Sequence, residues 1–352
     1  MSDLKFVMCR KCVLDNIEIP DITFDTMGVC NYCRDWEKRE KERAIEATNY
    51  PWMYDRLKRE GGKKYDVLLG LSGGVDSAMC LHHMIQNGVR VLCWSLDNGW
   101  DSDLAKLNVA KLIKETGVDF MKIELTHEQN EVYTDLQSAF FKSGVKNVEM
   151  VTDQLLMAAQ YAVAREYGIK NIICGGNHST EGIMPSVYGY DAKDLYHIKA
   201  IYKKFIGKKL KGVTTMSIWQ YIWTRFIRGV KIVQVLDYYD YNREESIKLL
   251  GKEYGYESYG EKHTENIFTH WFQNFYLTTK FRLDKRKPHF SSLINSGQMK
   301  RIDAINQLAK APIYPELHIE KKVMKYPKKS HMDYPNQKWL WSLLQKTYAR
   351  LK

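Results

Sequence analysis

The 352-residue chain contains no run of 18 or more apolar residues and so offers no candidate transmembrane helix. Its first residues, Met1-Ser2-Asp3-Leu4-Lys5, lack the apolar core of a secretory leader, which makes the cytoplasm the expected compartment. Internal repeats and low-complexity tracts are absent as well. The glycine-rich turn at residues 72–77 has no lysine in the Gly-x-x-x-x-Gly-Lys-Ser/Thr register, and no Gly-x-Gly-x-x-Gly occurs anywhere, so kinase and dehydrogenase chemistry lose support. Cysteine is scarce, with seven residues in all. Cys80, Cys93 and Cys174 stand alone in apolar contexts without Gly-x-Cys-x-Gly, and residue 2 is serine, so a glutaminase nucleophile is not expected in this chain.

The other four cysteines form Cys9-x₂-Cys12 and Cys30-x₂-Cys33, a spacing suited to a tetrathiolate metal site. Zn²⁺ is the expected ion, and an iron–sulfur cluster could use the same ligands. Four protein ligands leave no position for water, so the site reads as a structural clamp that lets the first forty or so residues fold without a core of their own. Disulfides are not expected without an export signal.

Apolar residues make up 44% of the chain, enough for a substantial core in one large domain with appendages or in two domains. The formal charge of +11 favours anionic partners without choosing among them. Lys199, Lys203, Lys204, Lys208, Lys209 and Lys211 alternate with Ile201, Phe205 and Ile206, the pattern of a solvated helix face or of an RNA or membrane surface.

Residues 1–47 comprise the knuckle and a charged helix (35–47), and a linker through Pro51 and Gly61-Gly62 follows. Across 61–182, expected strands at 67–71, 89–96, 118–125 and 169–174 alternate with helices at 77–87, 103–116, 128–142 and 152–167. This alternation predicts an α/β fold whose parallel sheet has helices on both faces, with ligands beyond the carboxyl ends of the strands. Those ends are residues 72–74, Asp97-Asn98-Gly99, Thr126-His127 and Gly175-Gly176-Asn177-His178. Residues 183–352 read as mainly helical, with a possible strand at 231–236 that would complete the sheet. An aromatic helix at 217–227 carries Trp219, Tyr221, Ile222, Trp223 and Phe226 and is expected in the core or against a partner.

Tyr65-Asp66-Val67-Leu68-Leu69-Gly70-Leu71 runs into Ser72-Gly73-Gly74-Val75-Asp76-Ser77, a strand entering a turn that opens a helix. Glycines let the backbone approach an anion, and the helix amino terminus supplies N–H groups and a positive dipole end. Gly73 and Gly74 with the hydroxyls of Ser72 and Ser77 therefore form a candidate phosphate cradle, with Asp76 placed to orient Mg²⁺ or pyrophosphate. Asp97 is a candidate for the ribose or a metal, and Gly175 and Gly176 for the crevice floor. The Ser-Gly-Gly-Val-Asp-Ser run resembles the PP-loop of the ATP pyrophosphatase superfamily, also described as adenine nucleotide alpha hydrolase-like. That resemblance implies cleavage of ATP between its α and β phosphates with adenylation of an oxygen.

A second constellation begins at Gly260-Glu261-Lys262-His263-Thr264-Glu265-Asn266-Ile267-Phe268-Thr269 and continues with Lys280, Arg282 and the stretch 284–298, Asp-Lys-Arg-x-x-His-x-Ser-x-Leu-Ile-x-Ser-Gly-Gln. So dense a set of cations suits either a solvated helix or a site that neutralises departing pyrophosphate. With the cysteine pairs and the PP-loop in this order, it resembles N-acetyl sugar amidotransferases of lipopolysaccharide O-antigen biosynthesis over nearly the whole chain. The resemblance implies ATP-dependent conversion of the N-acetyl group of a nucleotide-linked sugar to an acetamidino group, with Mg²⁺ and ammonia from a separate glutaminase subunit. On this reading Lys262, Lys285 and Arg286 stabilise developing charge and His263 is the general base. A PP-loop tRNA-modifying enzyme, thiolase or lysidine-type ligase, is the alternative. Nucleic acid is not the expected partner, because the three isolated cysteines form no sulfur-carrying set.

Overall fold

A computed structural model describes residues 5–48, 50–260 and 264–343. Five short segments form one sheet: β1 (Val67–Gly70), β2 (Val91–Asp97), β3 (Asp119–Glu124), β4 (Asn171–Cys174) and β5 (Lys231–Gln234). Their order is β3-β2-β1-β4-β5 and every pairing is parallel, with Leu69 opposite both Cys93 and Ile173. The central strand reads Val-Leu-Leu-Gly and is buried through its first three residues, whereas the edge strands β3 and β5 carry Asp, Lys, Glu and Gln that reach solvent. Covered strands need continuous apolar character, and edge strands do not.

Successive side chains point to opposite faces. Leu68, Leu92, Trp94 and Ile172 enter one core, shared with α5 (His127–Ser143), α6 (Met150–Glu166), α8 (Leu195–Ile206) and residues 268–283. Val67, Leu69, Val91, Cys93 and Ile173 enter the other, shared with α2 (Tyr50–Arg59), α3 (Val75–Gln86), α4 (Asp103–Thr116) and α10 (Arg243–Tyr254). Helices thus cover both faces of a parallel sheet. Local chemistry sets their ends: Ser102 caps α4, which stops at Gly117 in the left-handed region, and a Thr126–Gln129 capping box opens α5.

The charged helix α1 (Asn31–Ala47) starts four residues before the expected boundary, because the Cys30 sulfur accepts the N–H of Cys33 and turns the knuckle directly into a helix. Nor does the knuckle stand apart. Val13 packs with Phe290, Leu293 and Ala304 of α12 (Arg286–Asn295) and α13 (Arg301–Leu308). Arg301 donates to the carbonyls of Cys12 (3.0 Å) and Cys9 (2.9 Å), and Lys287 pairs with Asp15 (2.6 Å) and Glu18. β5 comes from the segment beyond residue 182, so the sheet crosses the boundary drawn there by composition.

The aromatic helix departs from a core reading. It is α9 (Ile218–Ile222) continued by a π-helical turn, Trp223–Ile227. Ile218 is buried, while Trp219 is 71% and Trp223 56% exposed. Tyr221 stacks edge-on against Tyr161 and Trp341, so the helix leans on the body with one side only.

Candidate active site

β1 delivers the chain into the loop, and α3 leaves it with Gly74 at its N-cap and no side chain closing the cap. The first N–H groups of a twelve-residue helix are therefore presented with their dipole end at the loop. Ser77 Oγ donates to Gly74 O (3.0 Å), and Ser72 Oγ accepts from Gly74 N (3.3 Å), so the two serines knit the turn. Gly73 has φ +81°, and a Cβ there would lie 2.6 Å from the carbonyl oxygen of Ala105 on α4. A Cβ at Gly175 would lie 3.1 Å from Ser77 N, which explains why the end of β4 must be bare where α3 begins.

These approaches leave a cavity of about 240 Å³ lined by Ser72, Gly74, Asp76, Ser77, Gly175 and Gly176. The structure thus brings together all of the expected cradle residues except Gly73, whose carbonyl instead accepts the Tyr259 hydroxyl at 3.0 Å. The lining also holds Glu265, which belongs to the second constellation, and three residues that the sequence did not single out: Glu181, Arg243 and Tyr259. Tyr241 donates a short hydrogen bond to Asp76. Burial and the Asp76 charge hold this phenol far above its ordinary value, so it stays a donor.

Gln298 positions the Tyr241–Arg243 segment, donating to Tyr241 O (2.8 Å) and accepting from Arg243 N (3.1 Å). The Arg243 Nε is buried and has no hydrogen-bond partner among the described residues. A guanidinium with an unfilled donor on the wall of a phosphate-sized cavity is suited to an anion. The only local signal for this segment was Asn242, whose side chain caps α10 through the N–H groups of Glu244 and Glu245. Asp76, Glu181 and Glu265 are the carboxylates lining the cavity, and Mg²⁺, an ion that takes one or two carboxylates and completes its shell with phosphate and water, suits such hard oxygen donors.

The other expected residues that the structure describes lie elsewhere. Asp97 is not on the cavity wall: it accepts from Gly99 N (2.9 Å) and pairs with Lys122 (2.8 Å), which holds its carboxyl below the usual range. Arg286 is fully engaged, by Asp284 (2.7 Å) and by the carbonyls of Gln307 (3.3 Å) and Lys310 (3.1 Å), so it fastens α12 to the end of α13 instead of meeting phosphate. Lys285 does not line the cavity. Lys262 and His263 lie outside the described residues. Burial keeps the thiols of Cys80, Cys93 and Cys174 protonated, Cys93 pushed up to about 12.

At the knuckle, the sulfurs of Cys9, Cys12, Cys30 and Cys33 lie within 4.8 Å of one another and are buried. Each also accepts an N–H: Cys9 from Cys30 (3.3 Å), Cys12 from Leu14 (3.5 Å), Cys30 from Cys33 (3.4 Å) and Cys33 from the Asn295 amide (3.3 Å). Such donors stabilise thiolates, so the chemistry of the set fits a tetrahedral thiophilic metal.

The fold and the loop define a PP-loop domain of NAD synthase type, and residues 47–217 match the family model described as NAD synthase. Residues 265–348 match the model described as LPS biosynthesis protein WbpG-like, C-terminal domain, so the chain joins these two domains. That combination is the build of an ATP-using enzyme of amidotransferase type. Among solved structures, the chain is similar to an NH3-dependent NAD synthetase from Campylobacter jejuni (17% identity, TM-score 0.29, covering 49% of this chain and 77% of that one). It is also similar to an NMN synthetase from Francisella tularensis (14% identity, TM-score 0.32, 61% and 95%). No relative was found among curated proteins.

Proposed function

We propose that the protein converts the N-acetyl group of a nucleotide-linked sugar to an acetamidino group at the expense of ATP, for bacterial surface-polysaccharide synthesis in the cytoplasm. The observation that carries this reading is the single cavity lined by the uncapped start of α3, Asp76, Gly175, Gly176 and Arg243, whose Nε has no partner among the described residues. An amide carbonyl is a poor electrophile, and adenylation turns its oxygen into a leaving group. The carbonyl oxygen attacks the α phosphorus, the bond to the β,γ-diphosphate breaks, and pyrophosphate leaves into the cradle. Ammonia adds to the imidate carbon, gives up protons, and AMP departs with the former carbonyl oxygen.

Arg243 and the α3 N–H groups stabilise charge on the pyrophosphate, and Tyr241 fixes the carboxylate of Asp76. Mg²⁺ on Asp76, with Glu181 or Glu265, would supply further charge neutralisation. Lys262 and His263 are assigned by sequence to the same pyrophosphate and to proton transfer from ammonia. The protonated thiols of Cys80, Cys93 and Cys174 support ammonia from a separate glutaminase subunit and weigh against a thiolase.

The test is incubation with ATP, ammonium and candidate N-acetyl nucleotide sugars. AMP with pyrophosphate, and the mass change of an oxygen replaced by NH, are expected; ADP would sink the proposal. Arg243→Ala should lower kcat/KM by roughly 10²-fold, with partial recovery in Arg243→Lys.

A further inference from the structure

A separate cavity of about 720 Å³ shares no lining residue with the loop cavity. It is within the size range of pockets that take nucleotide-sized ligands. Three stretches of chain bring Lys146, Lys328, Lys329 and Lys338 to its wall. None of the four has a carboxylate within ion-pair distance among the described residues. The two carboxylates on the wall are held by neutral donors, Asp21 accepting the Tyr32 hydroxyl (3.0 Å) and Asp333 the N–H of Ser330 (2.8 Å), and their two charges offset the four lysines only in part.

The wall is built, not a loose fringe. Lys329 N donates to Gly144 O at 2.9 Å, and a Cβ on Gly144 would lie 1.7 Å from Pro327 O, so the lysine-bearing segment lies tightly on the end of α5. His331 is buried beside it, accepting from Asn147 N (3.3 Å) and stacking on Tyr190 (4.4 Å). Phe281 and Val187 add apolar surface. Lys146 is half-buried, and desolvation with the nearby charge of Lys338 pulls its ammonium below the ordinary lysine value. Four cations against two carboxylates leave this concave wall with an excess of positive charge, which raises the local potential, and a multivalent anion relieves it.

We propose that this cavity is a second anion site, taking a small molecule that carries a diphosphate. Its concavity and the half-buried Lys146 favour a compact ligand over the extended backbone of a nucleic acid. The assignment stands whether or not the loop adenylates a sugar.

Binding of inorganic pyrophosphate and of UDP-N-acetylglucosamine to the full chain should be measured by calorimetry in wild type, in Lys146→Gln/Lys328→Gln and in Arg243→Ala. The lysine variant should lose at least tenfold affinity at one site while melting like wild type and retaining the ATP affinity of the loop. Arg243→Ala should show the converse. Loss for both probes assigns the site to the diphosphate itself, and loss for the nucleotide sugar alone assigns it to a nucleotide-linked ligand; either supports the proposal. Unchanged isotherms for both probes would overturn it. So would weakened binding of an RNA oligonucleotide with both small probes unaffected.

Discussion

Gly73 and Gly74 are adjacent and chemically identical, yet their surroundings set different tolerances. At Gly73 a side chain meets a φ of +81° and backbone atoms of Ala105 at 2.6–3.1 Å. At Gly74 φ is −73°, and the nearest atoms are the side-chain ends of Ser72 (3.3 Å) and Glu265 (3.4 Å). Left-handed backbone costs an L-residue about 1–2 kcal/mol, and the clash with α4 adds to it. Gly73→Ala should therefore lower the melting temperature by several degrees and cut AMP formation more than tenfold. Gly74→Ala should melt like wild type and lose less activity. Thermal melts with an AMP assay check both, and equal effects would show that the close approach of α4 does not govern the loop.

The four-cysteine knuckle acts at the level of elements, because α12 and α13 are its other half. Arg301 holds the Cys9 and Cys12 carbonyls, Lys287 holds Asp15 and Glu18, and Asn295 donates to the Cys33 sulfur. Removing the metal with a strong chelator, or Cys12→Ser, should lower stability and speed amide exchange in α12 and α13 before the central strands respond. Exchange confined to the knuckle would count against this coupling. The same elements mark how far the sequence could be read. The span of α4 was legible because Ser102 and Gly117 are local signals, and the cradle was legible because its glycines sit at strand ends. Tyr241 and Arg243 were not, since their place depends on β5 pairing and on Gln298, more than fifty residues away. Nor could a basic run disclose that Arg286 faces Asp284 and two carbonyls while Arg243 faces the cavity. The exposure of Trp219 and Trp223 likewise follows from packing on one side, which helical spacing alone does not fix.

At the scale of the molecule, the carboxyl-terminal stretch is fastened across α5 and α8 by groups that must remain neutral. His197 Nδ1 meets Pro335 O (3.0 Å), so it carries the proton, and its Nε2 accepts from His331 Nδ1 (2.9 Å). His331 Nε2 then accepts from Asn147 N, and a further proton on either ring would set two donors against each other. Burial depresses both, His331 to about 2, with the charge of His197 adding to its shift. In the unfolded chain histidine titrates near 6.5. Above that value neither state takes up the proton and the fastening is at full strength. As pH falls below about 6.5 the unfolded chain binds protons that the folded one refuses, and stability drops by up to about 1.4 kcal/mol per pH unit for each histidine until the folded values are reached. Urea midpoints at pH 8, 6.5 and 5.5 should therefore decline on acidification. His331→Gln should be less stable at pH 8, because it loses the shared bond, yet decline less steeply. A parallel decline in the two proteins would show that acid acts on other groups, and that this histidine pair does not hold the stretch carrying Lys328, Lys329 and Lys338 in place.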